Sequence, residues 1–156
     1  MKLLITGIPA TRKTTLGYHL SHHHGFFHLD VEEMLSRGLP QELNGCDTWH
    51  DIADRLAAMA RPVVISWGFM PGADDAKIRL LQSYGYKLIW FDGNRDAARR
   101  EFIKRGTVPV SLLDLQMERI NNMDLSSLDP VIIDTFDDEG ELLPIEDVAA
   151  LVLAQA

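Results

Sequence analysis

The chain has 156 residues, 46% of them apolar, which suits one domain with a continuous core and contains no stretch long enough to span a membrane. Its formal net charge of −8 argues against a protein that wraps nucleic acid, while a small anionic ligand held by local positive charge stays possible. Cys46 is the only cysteine, so an internal disulfide is excluded and a reducing, cytoplasmic setting is the simplest expectation.

The apolar run Leu3-Leu4-Ile5 predicts a buried strand. It is too short for a signal peptide, lacks a small-residue cleavage site, and runs directly into Gly7-Ile-Pro-Ala-Thr-Arg-Lys-Thr. This segment follows the phosphate-loop pattern G-x-x-x-x-G-K-[ST], with Gly7, Lys13 and Thr14 at the required offsets. Consecutive backbone N–H groups and the start of the following helix would converge on an anion. Gly7, Ala10, Thr11, Arg12, Lys13, Thr14 and Thr15 are the candidate nucleotide contacts. Lys13 would reach the outer phosphates and the Thr14 hydroxyl would ligate Mg²⁺. Arg12 stands where the pattern has its second glycine, a position that favours left-handed backbone. A side chain there costs about 1 to 2 kcal/mol, while its charge beside a polyphosphate offsets part of that cost.

A helix is expected over residues 14–24, with Leu16 and Leu20 toward the sheet and Gly25 as its stop. A short strand over 26–29 then delivers Asp30 to its carboxyl end. Asp30 reads both as a helix N-cap, with Glu33 three residues on, and as a group that orients or deprotonates an acceptor hydroxyl or holds Mg²⁺ through water. The helix it opens ends at Gly38 and Pro40, and residues 41–47 read as loop. Thr48 and Asp51 form a capping pair for a helix whose apolar face is Trp49, Ile52, Ala53 and Leu56.

Residues 62–66 predict a third strand, followed by a loop whose Trp67 and Phe69 suit an acceptor pocket and core packing equally. A helix over 73–84, a strand over 86–91 and a helix from Asn94 follow. That helix carries Arg95, Arg99, Arg100, Lys104 and Arg105 and stops at Gly106, which suggests a basic lid with a hinge; a solvated face paired with Asp96 and Glu101 is the competing reading. A linker over 107–110 leads to a helix capped by Ser111 and Asp114. Asp129-Pro130 opens a last strand over 131–134, an acidic solvated turn follows, and Pro144 begins a closing helix with Ile145, Val148, Ala149 and Val152 inward. The histidines 22–24 fit a solvated helix end better than a metal cluster, and Cys46 reads as an ordinary loop thiol.

Alternating strands and helices, with continuously apolar strands, predict a three-layer α/β/α fold around a five-stranded parallel sheet. Ligands of such sheets sit beyond the carboxyl ends of the strands, where Gly7, Asp30, Trp67, Asp92 and Asp134 all fall. GIPATRKTT, FFHLD, VVISWGF, NRDAARREFIKRG and VIIDTFDDEGELLPIEDVAALV occur in the order found in the P-loop small-molecule kinases, and the whole chain resembles the gluconate kinase, shikimate kinase and adenylate kinase group. That resemblance implies strand order 2-3-1-4-5, a single domain over 1–156 with a short lid near 95–110, and ATP- and Mg²⁺-dependent phosphorylation of a small cytoplasmic metabolite. By the same resemblance Lys13 and Thr14 take the phosphate and metal roles, Asp30 the acceptor side, Arg105 the lid, and Arg99 or the loop 134–139 the adenine. A nucleotide-binding module with weak or no turnover because of Arg12, or a nucleotide hydrolase, are the alternatives. The acceptor and the oligomeric state are not readable from the residues.

Overall fold

The computed structural model describes residues 1–106 and 108–155, so of the linker expected over 107–110 Thr107 lies outside the described residues. Strand β1 (Lys2–Gly7) is the centre of a parallel five-stranded sheet ordered β2-β3-β1-β4-β5, with β2 Phe27–Asp30, β3 Val63–Ser66, β4 Lys87–Asp92 and β5 Val131–Asp134. Successive strand residues point to opposite faces, so β1 must be apolar on both. Leu3 and Ile5 pack with Leu16 and Leu20 of α1 (Lys13–His24) and Val148 and Val152 of α7 (Ile145–Leu153). Leu4 faces the other way, into a larger core that includes Ile52 and Leu56 of α3 (Trp49–Ala57), Ile78 and Leu81 of α4 (Asp75–Ser83), and Trp90. Each fully buried aliphatic side chain contributes roughly 1.5 to 3 kcal/mol, so the two faces together hold the sheet between its helices.

The remaining helices are α2 (Val31–Arg37), α5 (Arg95–Arg105) and α6 (Val110–Asn122). Thr48 and Asp51 form the expected capping box, and Gly25 and Gly106 end α1 and α5 in the left-handed conformation. Three expectations are corrected. Part of the loop expected over 41–47 is a turn of 3-10 helix, Gln41–Leu43, because Leu43 is pulled fully into the core. Ser111 does not cap α6, which begins one residue earlier with Pro109 at its N-cap and no side-chain cap; Asp114 pairs with Arg99 instead. Helix α4 starts at Asp75, two residues later than expected, because Asp74 and Asp75 accept hydrogen bonds from the loop amides of Met70 and Gly72. The acidic turn is ordered by Asp137, whose carboxylate accepts from the amides of Glu139 and Glu141. Among the described residues no helix is long and apolar enough to cross a membrane.

Candidate active site

The loop after β1 is built from backbone. Gly7 has φ 132°, and a Cβ there would overlap the backbone of Phe91 on β4, so only glycine fits. Ala10 and Arg12 both have positive φ, 63° and 60°, while Thr11 between them does not. Alternating dihedrals of this kind are those that turn successive N–H groups toward one point in anion-binding nests. Arg12 therefore takes the left-handed conformation that the pattern assigns to glycine, with ψ 31°, and is the N-cap residue of α1. Two side-chain-bearing residues held this way store strain of about 1 to 3 kcal/mol each.

Side chains brace the loop from within. Thr11 Oγ1 donates to the Ile8 carbonyl at 2.8 Å. Lys13 Nζ donates to the same carbonyl at 2.8 Å, to Thr11 Oγ1 at 3.3 Å and to the Gly7 carbonyl at 3.4 Å. Burial lowers the Lys13 pKa to about 8, against the pull of the Glu32 and Asp30 carboxylates and with a smaller push from Arg105. The charge of Arg105, at the end of α5, thus reaches the loop.

Opposite the loop, β2 and β3 pair in a register that sets Asp30 beside Ser66. Asp30 is both N-cap and site residue. Its Oδ1 accepts from the Glu33 amide at 2.8 Å, and its Oδ2 accepts from Thr14 Oγ1 at 2.6 Å and from Ser66 Oγ at 3.1 Å. Ser66 has one hydroxyl proton and gives it to Asp30, so His28, whose Nε2 lies 2.8 Å from Ser66 Oγ, must be the donor in that contact. Burial lowers the His28 pKa and favours this neutral form. A hydroxyl, a carboxylate, a second hydroxyl and an imidazole thus form one chain from Thr14 to His28.

Glu32, two residues past Asp30, turns its carboxylate to the Gly68 amide, which donates to Oε1. A Cβ on Gly68 would meet that oxygen at 2.6 Å. Desolvation is the main cause that raises the Glu32 pKa, and the Asp30 charge adds to it. A cleft of about 540 Å³ opens here, lined by Thr14, Tyr18, Asp30, Glu32, Glu33, Ser36 and Arg37.

The arginines of α5 do not share one target. Arg95 pairs with Asp92 at 3.5 Å and also donates to Asn121 of α6, and Arg99 pairs with Asp114 of the same helix. Arg100 lies against the 137–141 turn, where a Cβ on Gly140 would meet its Nη2 at 3.2 Å. Of the two groups expected at the adenine, Arg99 is therefore directed to α6, while Arg100 is the residue beside the turn. Thr15 lies exposed at the start of α1.

Trp67 and Phe69 are core residues, only 4% and 2% exposed. Trp67 stacks on Trp49 with centroids 5.0 Å apart, and Phe69 meets Trp90 edge-on at 5.9 Å. They back the acceptor side without lining it. The rings of His19 and His23 lie 4.6 Å apart, yet among the described residues no three His, Cys, Asp or Glu side chains are arranged to hold a metal ion. Cys46 is buried. Sequence reasoning missed Glu32, Ser66 and His28, and read Arg100 as part of a basic lid face rather than as the residue beside the 137–141 turn. For Glu32 a signal existed in its spacing from Asp30 at a strand's end; for the others, pairing partners far along the chain were needed.

Comparison of the coordinates with solved structures decides the fold. The chain matches a gluconokinase from Sinorhizobium meliloti 1021 over 99% of its length and 97% of that protein, at 20% identity and a TM-score of 0.57. It has the fold of the P-loop small-molecule kinases. A shikimate kinase from Aquifex aeolicus vf5 matches this P-loop kinase fold over 99% of the present chain and 95% of its own, at 21% identity and a TM-score of 0.60. A tunicamycin resistance protein from Deinococcus radiodurans does so over 98% and 93%, at 20% identity and a TM-score of 0.56. No protein-family model matches the chain, and no curated protein matches it in sequence.

Proposed function

We propose that the protein is an ATP-dependent phosphotransferase acting on the hydroxyl of a small molecule. The observation that carries this reading is the conjunction of an anion nest at Ala10 to Arg12 with a Thr14–Asp30 hydrogen bond of 2.6 Å directly beside it. The nest and Lys13 would hold the outer phosphates. Thr14 Oγ1 and Asp30 Oδ2 are hard oxygen donors on adjacent elements, which suits Mg²⁺, an ion that takes one or two protein oxygens and fills its shell with water and phosphate. When bound, that ion would neutralise charge on the phosphates.

The protein's own residues do the rest. Asp30 is anchored by the Glu33 amide and by Ser66, so its carboxylate cannot swing away from Thr14. Glu32 is the carboxylate with a raised pKa next to the cleft, a suitable acceptor for the hydroxyl proton. Transfer breaks the bond between the terminal phosphorus and its bridging oxygen, whose electron pair leaves with ADP, and forms a bond from phosphorus to the acceptor oxygen. Helix α5, with Gly106 as hinge, would act as the lid that brings Arg105 to the transferring group within one domain. Arg100 and the 137–141 turn flank the expected adenine position. A cytoplasmic setting accords with a lone, buried thiol.

A second reading, a nucleotide-binding module without turnover, draws on Lys13, whose ammonium is engaged by the loop's own carbonyls. Calorimetry with MgATP, coupled to ADP release, separates the two on the native protein and on Arg12→Gly. Binding and acceptor-dependent ADP production by the native chain are expected. Binding that appears only after Arg12→Gly would defeat the kinase reading.

A further inference from the structure

Beyond the phosphate loop the site is acidic, and its cation is already used. Asp30, Glu32 and Glu33 line the 540 Å³ cleft, where among the described residues Arg37 is the one basic side chain in the lining. Arg37 Nη1 is held by Glu33 Oε1 at 2.8 Å, and the other Glu33 oxygen accepts from Tyr18 at 2.8 Å. The amide of Gly68, at the end of β3, is a natural anchor for an anionic group, but Glu32 occupies it. Lys13 is held within the phosphate loop by the Gly7 and Ile8 carbonyls. The adjoining cleft of about 520 Å³, between the loop after β3 and α6, repeats the imbalance, with Asp75, Glu118 and Asp124 against Arg119. In both clefts the lining carboxylates outnumber the basic side chains.

We infer that the acceptor is a hydroxyl compound carrying an ammonium group and no carboxylate or phosphate, an amino sugar or amino alcohol. This rests on the phosphotransferase reading and narrows it. The ammonium would pair with Glu32 or Glu33 while a hydroxyl faces the Thr14–Asp30 pair. A carboxylate in the same place would meet like charge, with Arg37 already bridged to Glu33, and such juxtaposition weakens binding. Phosphoryl passes from the terminal position of ATP to the hydroxyl oxygen, the bridging electron pair leaves on ADP, and the hydroxyl proton goes to a site carboxylate. The ammonium itself takes no part in the bond changes.

The test uses the full chain with MgATP and matched hexose and pentose sets, each as amino sugar, neutral sugar and sugar acid, together with short amino alcohols. Calorimetry records MgATP binding separately. Amino-bearing members are expected to exceed their sugar acids by ~100-fold in kcat/KM and their neutral partners by ~10-fold, the size of one good charge contact. Glu32→Gln should erase most of that preference, read as the ratio of calorimetric affinities for amino-bearing and neutral members so that a loss of turnover does not obscure it, and Glu33→Gln, by releasing Arg37, should shift use toward the acids. Preference for neutral or acidic members, or no transfer to any amino-bearing alcohol while MgATP binds, overturns the inference and leaves the kinase reading in place. Failure to bind MgATP overturns both.

Discussion

The two sides of this site are made of different material. The proposed phosphate side is one continuous segment, Gly7 to Thr14, whose shape comes from backbone dihedrals and which offers amides and a lysine. The acceptor side is a set of carboxylates drawn from β2 and α2, with orientations set by Ser66 of β3 and the Gly68 amide beyond it. A backbone nest recognises any polyphosphate and tolerates little change in shape. Side chains on separate elements can be exchanged one at a time, so under the proposed function the carboxylate side would set acceptor specificity.

The sharpest way to break the contrast is at its hinge point. Gly7→Val places a branched side chain against the Phe91 backbone, at a φ that such residues do not adopt, and should cost more than about 4 kcal/mol. Thermal melts should find little folded protein, and a near-native midpoint would show that the loop re-forms without glycine. Next in size, Lys13→Ala should weaken MgATP by ~100-fold, about 2.7 kcal/mol, with the far-ultraviolet spectrum unchanged. Unchanged affinity would leave the nest alone in charge of the phosphates.

On the acceptor side, Ser66→Ala removes a buried hydroxyl, so that Asp30 loses a donor and the His28 proton its acceptor. A loss of about 1 to 3 kcal/mol in denaturant unfolding is expected. Ser66→Thr, which restores the hydroxyl, should recover part of it. The smallest effect is a pH dependence of stability. The folded Lys13 pKa is lowered from 10.5 to about 8, so the unfolded chain binds more protons between these values and the native protein gains stability as pH rises through that window. Lys13→Met should flatten the slope of melting temperature over that range. An equal slope in both proteins would mean that Lys13 is solvated in the folded state.

Most of the sheet was legible in the residues. Strands buried on both faces read as apolar runs, and helix ends carried their own chemistry in Gly25, Thr48 with Asp51, and Gly106. The misreadings have one source. Ser111 and Asp114 have the spacing of a cap, but Arg99 competes for Asp114 from another helix. Trp67 and Phe69 suit a pocket or a core, and only the positions of Trp49 and Trp90 settle the matter. Arg95, Arg99 and Arg100 read as one basic face, yet their partners lie on α6 and at the 137–141 turn.

Residue order alone determined the phosphate loop, because a nest is a local object: a strand, a turn of defined length and a helix start, all within the first 15 residues. It also determined the parallel α/β class, since periodicity is a local signal. The tertiary structure decided that Arg12 can occupy the left-handed position, with φ 60° in a loop braced by Lys13 and Thr11. It also decided which acid meets Thr14 and which meets the Gly68 amide. Asp30 and Glu32 differ by two positions in the chain, and the parallel register of β2 on β3 gives the first to Ser66 and Thr14 and the second to Gly68. Register is fixed by burial across the whole sheet, which no short stretch of sequence contains.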